Sequence, residues 1–200
     1  MKRFSLCLVA VLILSSCTGV EDFGAYWDKG YLDPALEGSW KKLGLPGEDP
    51  NGIPGPDLWR FTRNGSSYSL QGINPIDQTA EPDIIERQKA DNVQRMSART
   101  LRVGKHLFLM QRDPDGQGKR SAIERYDVRR GTLREYWMNN GKAVEFLKAK
   151  HPTAKNIKKN VGEGEFVVIN TFDDEVFQVL SEIADNPAYW FLNCRYQKVP

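Results

Sequence analysis

The sequence predicts a mainly β fold with a minor helical part. We expect an antiparallel sheet of about nine strands, closed into a barrel or strongly curled, with two or three short helices. Three observations carry this. Short segments alternate apolar and polar residues along most of the chain. Turn signals at Asn64-Gly65, Gly104-Lys105 and Arg130-Gly131 join them in pairs as hairpins. No strand–helix–strand rhythm of a parallel sheet is visible, and an antiparallel sheet loses its exposed edges most simply by curling onto itself.

The chain has 200 residues and a mass of 22.8 kDa, the size of one domain. Nine Phe, seven Tyr and five Trp, with 40% hydrophobic residues, are enough to build a packed core and exclude a disordered chain. Lys and Arg number 28, of which Lys2 and Arg3 fall in a segment expected to be removed. That leaves 26 bases against 26 acids. The mature chain is formally neutral, so a nucleic-acid partner is not expected.

Lys2 and Arg3 precede an 11-residue stretch, Phe4 to Leu14, that is apolar apart from Ser5. Such a stretch suits a secretory signal and is too short to span a bilayer. It runs into Leu14-Ser15-Ser16-Cys17. A branched apolar residue, two small residues and a cysteine resemble the lipobox of bacterial lipoproteins. The resemblance implies a signal peptide over 1–16, cleavage before Cys17, and acyl chains (palmitate among them) on Cys17 holding the protein to a membrane. Each buried methylene contributes about 0.8 kcal/mol, so two or more chains anchor stably where one does not. Thr18 stands where an Asp retains such proteins at the inner membrane. The resemblance therefore implies a cell-envelope protein on the outer membrane, facing the periplasm. Cys7 leaves with the signal and Cys17 is consumed by lipid. Cys194 is then alone and is expected as an inert buried thiol.

Residues 17–32 are expected as a lipidated N-terminus and tether. As coil, the fifteen residues 18–32 reach about 20 Å. Its Phe23, Tyr26, Trp27 and Tyr31 either sit among lipid headgroups or dock on the domain that follows, 33–200. There Leu36 to Lys41 reads as the first strand. A loop rich in Pro and Gly, 46–56, excludes regular structure. Leu58 to Arg63 and Tyr68 to Leu70 flank Asn64-Gly65. Pro82, Ile84, Ile85, Val93 and Met96 suggest a short helix within 71–96. Leu101 to Leu109 turns at Gly104-Lys105, Asp113-Pro114-Asp115-Gly116 is a turn, and Ile123 to Val128 pairs with Leu133 to Met138. Residues 141–150 are a helix stopped by His151-Pro152. Phe166 to Thr171 is a strand. Thr171 with Asp174 suggests a capping box before an apolar stripe of Val176, Phe177, Leu180, Ile183 and Ala184, and Asn186-Pro187 ends that helix. Trp190 to Lys198 is the last strand.

Gly38-x-Trp40 on the opening strand resembles the start of lipocalin-like barrels, as does the order of hairpins, helix, strand, helix and last strand. The resemblance covers most of 33–198 and extends to small lipocalin-like lipoproteins of bacterial envelopes. It implies a barrel with Trp40 closing one end. The Pro/Gly loop, the polar stretch 71–96 and the lack of an arginine placed to stack on Trp40 depart from the pattern. An open sheet with helices on one face is the alternative.

No residue set points to a catalytic centre, a metal or a cofactor. His106 and His151 are the two histidines, and neither lies in a metal-ligand spacing. Gly-x-Ser-x-Gly, phosphate-loop and dinucleotide patterns are lacking. Asp173-Asp174-Glu175 suits a helix first turn, where the free N–H groups favour carboxylates. Trp40, Phe61, Tyr68, Leu107, Leu109, Tyr126, Trp137, Trp190 and Leu192 are expected to line the barrel interior. They either fill it or leave room for a small apolar ligand. Lys148, Lys150, Lys155, Lys158 and Lys159 form a basic stretch. It is either a solvated face or a contact for anionic lipid or another envelope component. The sequence thus predicts a non-enzymatic binding or structural module. Carriage of an apolar ligand is the first alternative, and an enzyme with an unrecognised site or a subunit of an envelope protein complex are the others.

Overall fold

The computed structural model describes residues 18–45, 56–74, 82, 93–115, 121–161 and 165–200. The lipobox and Cys17, the signal segment 1–16, the Pro/Gly loop from Pro46 to Gly55, and Ile84 and Ile85 lie outside these. The strands are β1 (Thr18–Asp22), β2 (Gly38–Lys42), β3 (Leu58–Asn64), β4 (Ser67–Ile73), β5 (Val93–Val103), β6 (His106–Arg112), β7 (Ala122–Arg129), β8 (Thr132–Met138), β9 (Ile157–Val161), β10 (Glu165–Thr171) and β11 (Trp190–Val199). The helices are α1 (Tyr26–Lys29), α2 (Asn140–Lys150) and α3 (Asp174–Ala184).

Eight strands close into an antiparallel barrel. β2 to β8 pair in sequence order, and β11 lies between β8 and β2. The hairpins follow local turn chemistry. Gly65 sits at φ +59° between β3 and β4, and Arg130-Gly131 takes two positive φ values, 51° and 72°, between β7 and β8. Val93 to Met96 extend β5, paired with Ile73 to Leu70, and are not helical as expected. Cross-strand pairing of β-branched and apolar residues outweighs a weak helical period.

Three more strands branch from the barrel. The edge of β7 is shared: its first residues pair with β1 (Ile123 with Thr18) and its later ones with β8. β1 pairs in parallel with β10, which pairs with β9. No parallel pair was expected, because residues 18–22 read as coil. A coil over 18–32 is not what forms. β1 and α1 bury Phe23, Tyr26 and Trp27, and Tyr31 bridges to Thr100 with N–H···O distances of 2.8 and 2.9 Å. β9 likewise forms where the sequence reading placed no strand.

The described residues build two cores. One fills the barrel, from Leu36, Trp40 and Trp59 round to Cys194 and Tyr196. The other lies between the outer faces of β5 to β7 and the layer of β1, β9, β10, α2 and α3. Asp173, not Thr171, caps α3, its carboxylate accepting from Val176 N–H at 3.0 Å. The freed Asp174 accepts from Tyr26 Oη at 2.6 Å and so ties α1 to α3.

One barrel end is plugged by the turn that precedes β2. Leu36 is fully buried and its carbonyl accepts from Trp40 Nε1 at 2.7 Å. Tyr68 Oη donates to the Asp33 carbonyl at 2.9 Å, and Tyr126 Oη to the Asp33 carboxylate at 2.8 Å. The connections β2–β3, β4–β5 and β6–β7 all leave from the opposite end, called here the loop end.

Candidate functional site

Strand alternation puts every second residue of each barrel strand inside. Trp40, Phe61, Tyr68, Leu109 and Tyr126 are buried there as expected, and Leu107 packs against them. Trp190 and Leu192 are not inside. The ladder of β11 with β8 shifts between Leu192 and Cys194. The extra residue, Asn193, reverses the alternation. Cys194 and Tyr196 face inward, whereas Trp190 packs on Phe108 in the outer core and donates from Nε1 to the Ile183 carbonyl at 2.9 Å. Leu192 is paired with Tyr136, which also packs on the outer core. Trp137 keeps the inward phase but stands at the rim of the loop end, edge-on to Phe191 with ring centroids 6.3 Å apart.

The interior is not wholly apolar. Toward the loop end, Lys42, Gln111, Glu124 and Glu135 are all buried. Each shares its strand's inward phase with a core residue: Glu124 with Tyr126, Glu135 with Leu133, Lys42 with Trp40, and Gln111 with Leu109. Glu124 accepts from Gln111 Nε2 at 3.0 Å. Lys42 pairs with Asp57 at 2.9 Å. Glu124, Tyr196, Trp59 and Lys42 surround Glu135. Trp59 Nε1 and Tyr196 Oη are buried there within reach of the Glu135 carboxyl, short of full hydrogen-bond geometry. Burial first, and then the charge of Glu124, push the Glu135 carboxyl well above its ordinary range. Burial and Glu135 do the same to the Tyr196 hydroxyl. The Cys194 thiol is raised too, by burial and then by Glu135. Glu135 therefore keeps its proton to higher pH than a free carboxyl does, and in that form it can donate as well as accept. With Gln111, the indole and the phenol it offers a compact set of polar contacts inside the barrel. The sequence signal for this set is four charged or amide residues in inward phase, where alternation alone predicts apolar ones.

We find no match to the chain among protein-family models, curated proteins or solved structures. What the chain does is therefore argued from its own residues.

The histidines stay outside the barrel interior. His106 Nε2 lies 2.7 Å from Asp185, linking the β5–β6 hairpin to the end of α3, and His151 Nε2 lies 3.1 Å from Glu182, linking the end of α2 to the same helix. Among the described residues no group of three or more His, Cys, Asp or Glu is placed to hold a metal ion. Of the basic stretch, Lys148 and Lys150 are exposed in the last turn of α2, where a helix favours cations, and Lys155 is exposed beyond it. Lys158 and Lys159 have their backbone in β9, paired with Val168 and Val167; their side chains lie outside the described residues. A small apolar cavity of about 10 Å³, the size of one water, lies in the outer core between α2, α3 and β10.

Proposed function

We propose that this chain is a lipid-anchored envelope protein whose barrel is a non-enzymatic binding module, held by acyl chains on Cys17 and facing the periplasm from the outer membrane. The lipobox Leu14-Ser15-Ser16-Cys17 supports the anchor. The observation that carries the binding role is the polar set at the loop end. Trp59 Nε1 and Tyr196 Oη are buried facing the Glu135 carboxyl, short of full hydrogen-bond geometry. A polar ligand group or water that completes such a hydrogen bond contributes about 0.5–1.5 kcal/mol. An apolar ligand inside the barrel has less support, because Trp40, Phe61, Tyr68 and Tyr196 already fill the interior as fully buried rings. The exposed Lys148, Lys150 and Lys155 are the surface contact offered to anionic lipid or an envelope protein.

The test is purification of the protein from its membrane, followed by mass spectrometry of the protein and of what travels with it. The expected mass lacks residues 1–16 and carries acyl chains on Cys17, and Cys17→Ala accumulates as an unacylated precursor. An unmodified soluble product overturns the anchor. A clean, empty preparation from every membrane source overturns the binding role.

A further inference from the structure

The turns β3–β4, β5–β6 and β7–β8, the plug over 33–37 and the close of β11 form the plugged end of the barrel, and all are among the described residues. Six bases stand there, Arg63, Arg102, Lys105, Arg129, Arg130 and Lys198, and all six are exposed. Two are spent on acids. Glu37 takes Arg63 at 3.3 Å, and Asp185, from the end of α3, takes Lys105 at 2.9 Å. The other two acids nearby are held by neighbours. Tyr126 holds Asp33 at 2.8 Å; Arg134 and Tyr136 hold Asp127 at 3.2 and 2.9 Å, with Arg129 3.9 Å away. Counted by side chains, six bases thus face four acids at this end, in a mature chain that is formally neutral.

The cations left over are spread round the rim. β5, β7 and β11 are every second strand of the barrel, so the backbones of Arg102, Arg129 and Lys198 stand about 10 Å apart in turn. No single phosphate bridges such a spacing, whereas a plane of separate anionic headgroups meets all of them. Arg130 marks a tip kept for its charge. Among the described residues it is the one non-glycine with a positive φ, 51°, at a turn position that Asn, Asp or Gly takes with less strain. Tyr31 adds a ring: it is 37% exposed, and its hydroxyl accepts from Arg102 Nη2 at 3.3 Å. Aromatic rings with one wet edge favour the headgroup level. β1 runs antiparallel to β7, so toward Thr18 it also heads for this end.

We infer that the plugged end of the barrel is a docking face for anionic lipid, with Arg102, Arg129, Arg130 and Lys198 among the headgroup phosphates and Tyr31 at their level. Each base at an anionic lipid surface contributes about fivefold to binding, and salt screens it. The face stands with or without acyl chains on Cys17, and such chains add to it. The polar set around Glu135, at the loop end, then lies away from the lipid. On the binding role proposed above, its ligand comes from the aqueous side.

The experiment uses the protein purified from its membrane, carrying Ala35→Cys at the plugged end or Leu43→Cys toward the loop end. Each is labelled with an environment-sensitive fluorophore, and peptide mass confirms the labelled position. Cys194 is buried and does not compete for label. The vesicles are phosphatidylcholine, with or without phosphatidylglycerol, and contain a headgroup nitroxide lipid. With phosphatidylglycerol, the label at 35 is expected to be quenched severalfold more than the label at 43. The difference is expected to fade without phosphatidylglycerol or in high salt. Arg129→Glu with Arg130→Glu should abolish it, and Lys148→Glu with Lys150→Glu should leave it. Arg130→Asn separates charge from folding: Asn accepts the positive φ, so the urea midpoint holds while quenching at 35 falls. Equal quenching at both labels, or a difference that Arg129 and Arg130 do not control, overturns the face. Binding of soluble polyphosphate through the same arginines, with no contact on phosphatidylglycerol vesicles, assigns this end to a polymer and overturns it too. The acyl mass and the co-purified ligand are read separately, so either failure leaves the proposed anchor and binding role standing.

Discussion

Lys198 Nζ lies 5.2 Å from the centroid of the Trp40 ring, and the two residues are cross-strand partners on β11 and β2. The last strand thus covers the tryptophan of the first barrel strand with a cation, the place for which no arginine was found in the sequence. Gly38 completes the arrangement. Its φ is +117°, and a Cβ there would meet Lys198 Cε at 3.1 Å.

Removing the ring should therefore cost far more than removing the cation. Trp40→Ala should destabilise the protein by about 3–5 kcal/mol. Lys198→Ala should cost about 0.5–1 kcal/mol, the range of an exposed cation–π contact. Gly38→Ala should cost more than about 1 kcal/mol through backbone strain, and adding Lys198→Ala should not restore it. Urea denaturation followed by tryptophan fluorescence measures all three. Full rescue of Gly38→Ala by the second change would show that contact, and not φ, sets the cost.

Glu135 makes stability depend on pH in a definite direction. Its carboxyl is raised in the folded protein above the 4.5 of the free side chain. Above that value the unfolded chain releases the proton and the folded chain resists doing so. The group's contribution is complete below about pH 4.5 and is lost as pH rises through the folded value. Glu135→Gln should raise the urea midpoint at about pH 8 and give no advantage near pH 4. A midpoint lowered equally at both would mean that the carboxylate is the form the fold uses.

The N-terminal segment should behave as part of the folded body. Arg99 Nη1 donates to the Trp27 carbonyl at 2.8 Å, and the Arg112 guanidinium lies 3.9 Å from the Trp27 ring centroid. Trp27→Ala should cost about 3–5 kcal/mol, the value for a buried ring. A change within about 0.5 kcal/mol, as at a surface site, would restore the tether.

Cys194 should be silent in the native protein. It is buried and its thiol is pushed up by that burial and by Glu135, so little thiolate forms. A thiol-specific reagent at neutral pH should modify it only after denaturant is added. Modification at the rate of a free thiol would show that the loop end opens to solvent.

By itself, the sequence determined what depends on neighbours along the chain. The hairpins at Asn64-Gly65, Gly104-Lys105 and Arg130-Gly131, both long helices and the last strand were legible, because turn chemistry, caps and period act over a few residues. Five of the nine expected interior residues are buried in the barrel core and Leu107 packs on it, for the same reason: alternation is local. The tertiary structure decided the rest. One extra residue at Asn193 moved Trp190 to the outer core, and a bulge has no turn-like signature. Residues 18–31 became strand and helix only because the split edge of β7 and the wall of β5 were there to receive them. Glu124 and Glu135 came together through the β7–β8 register, and burial, which no local pattern encodes, gave the pair its chemistry.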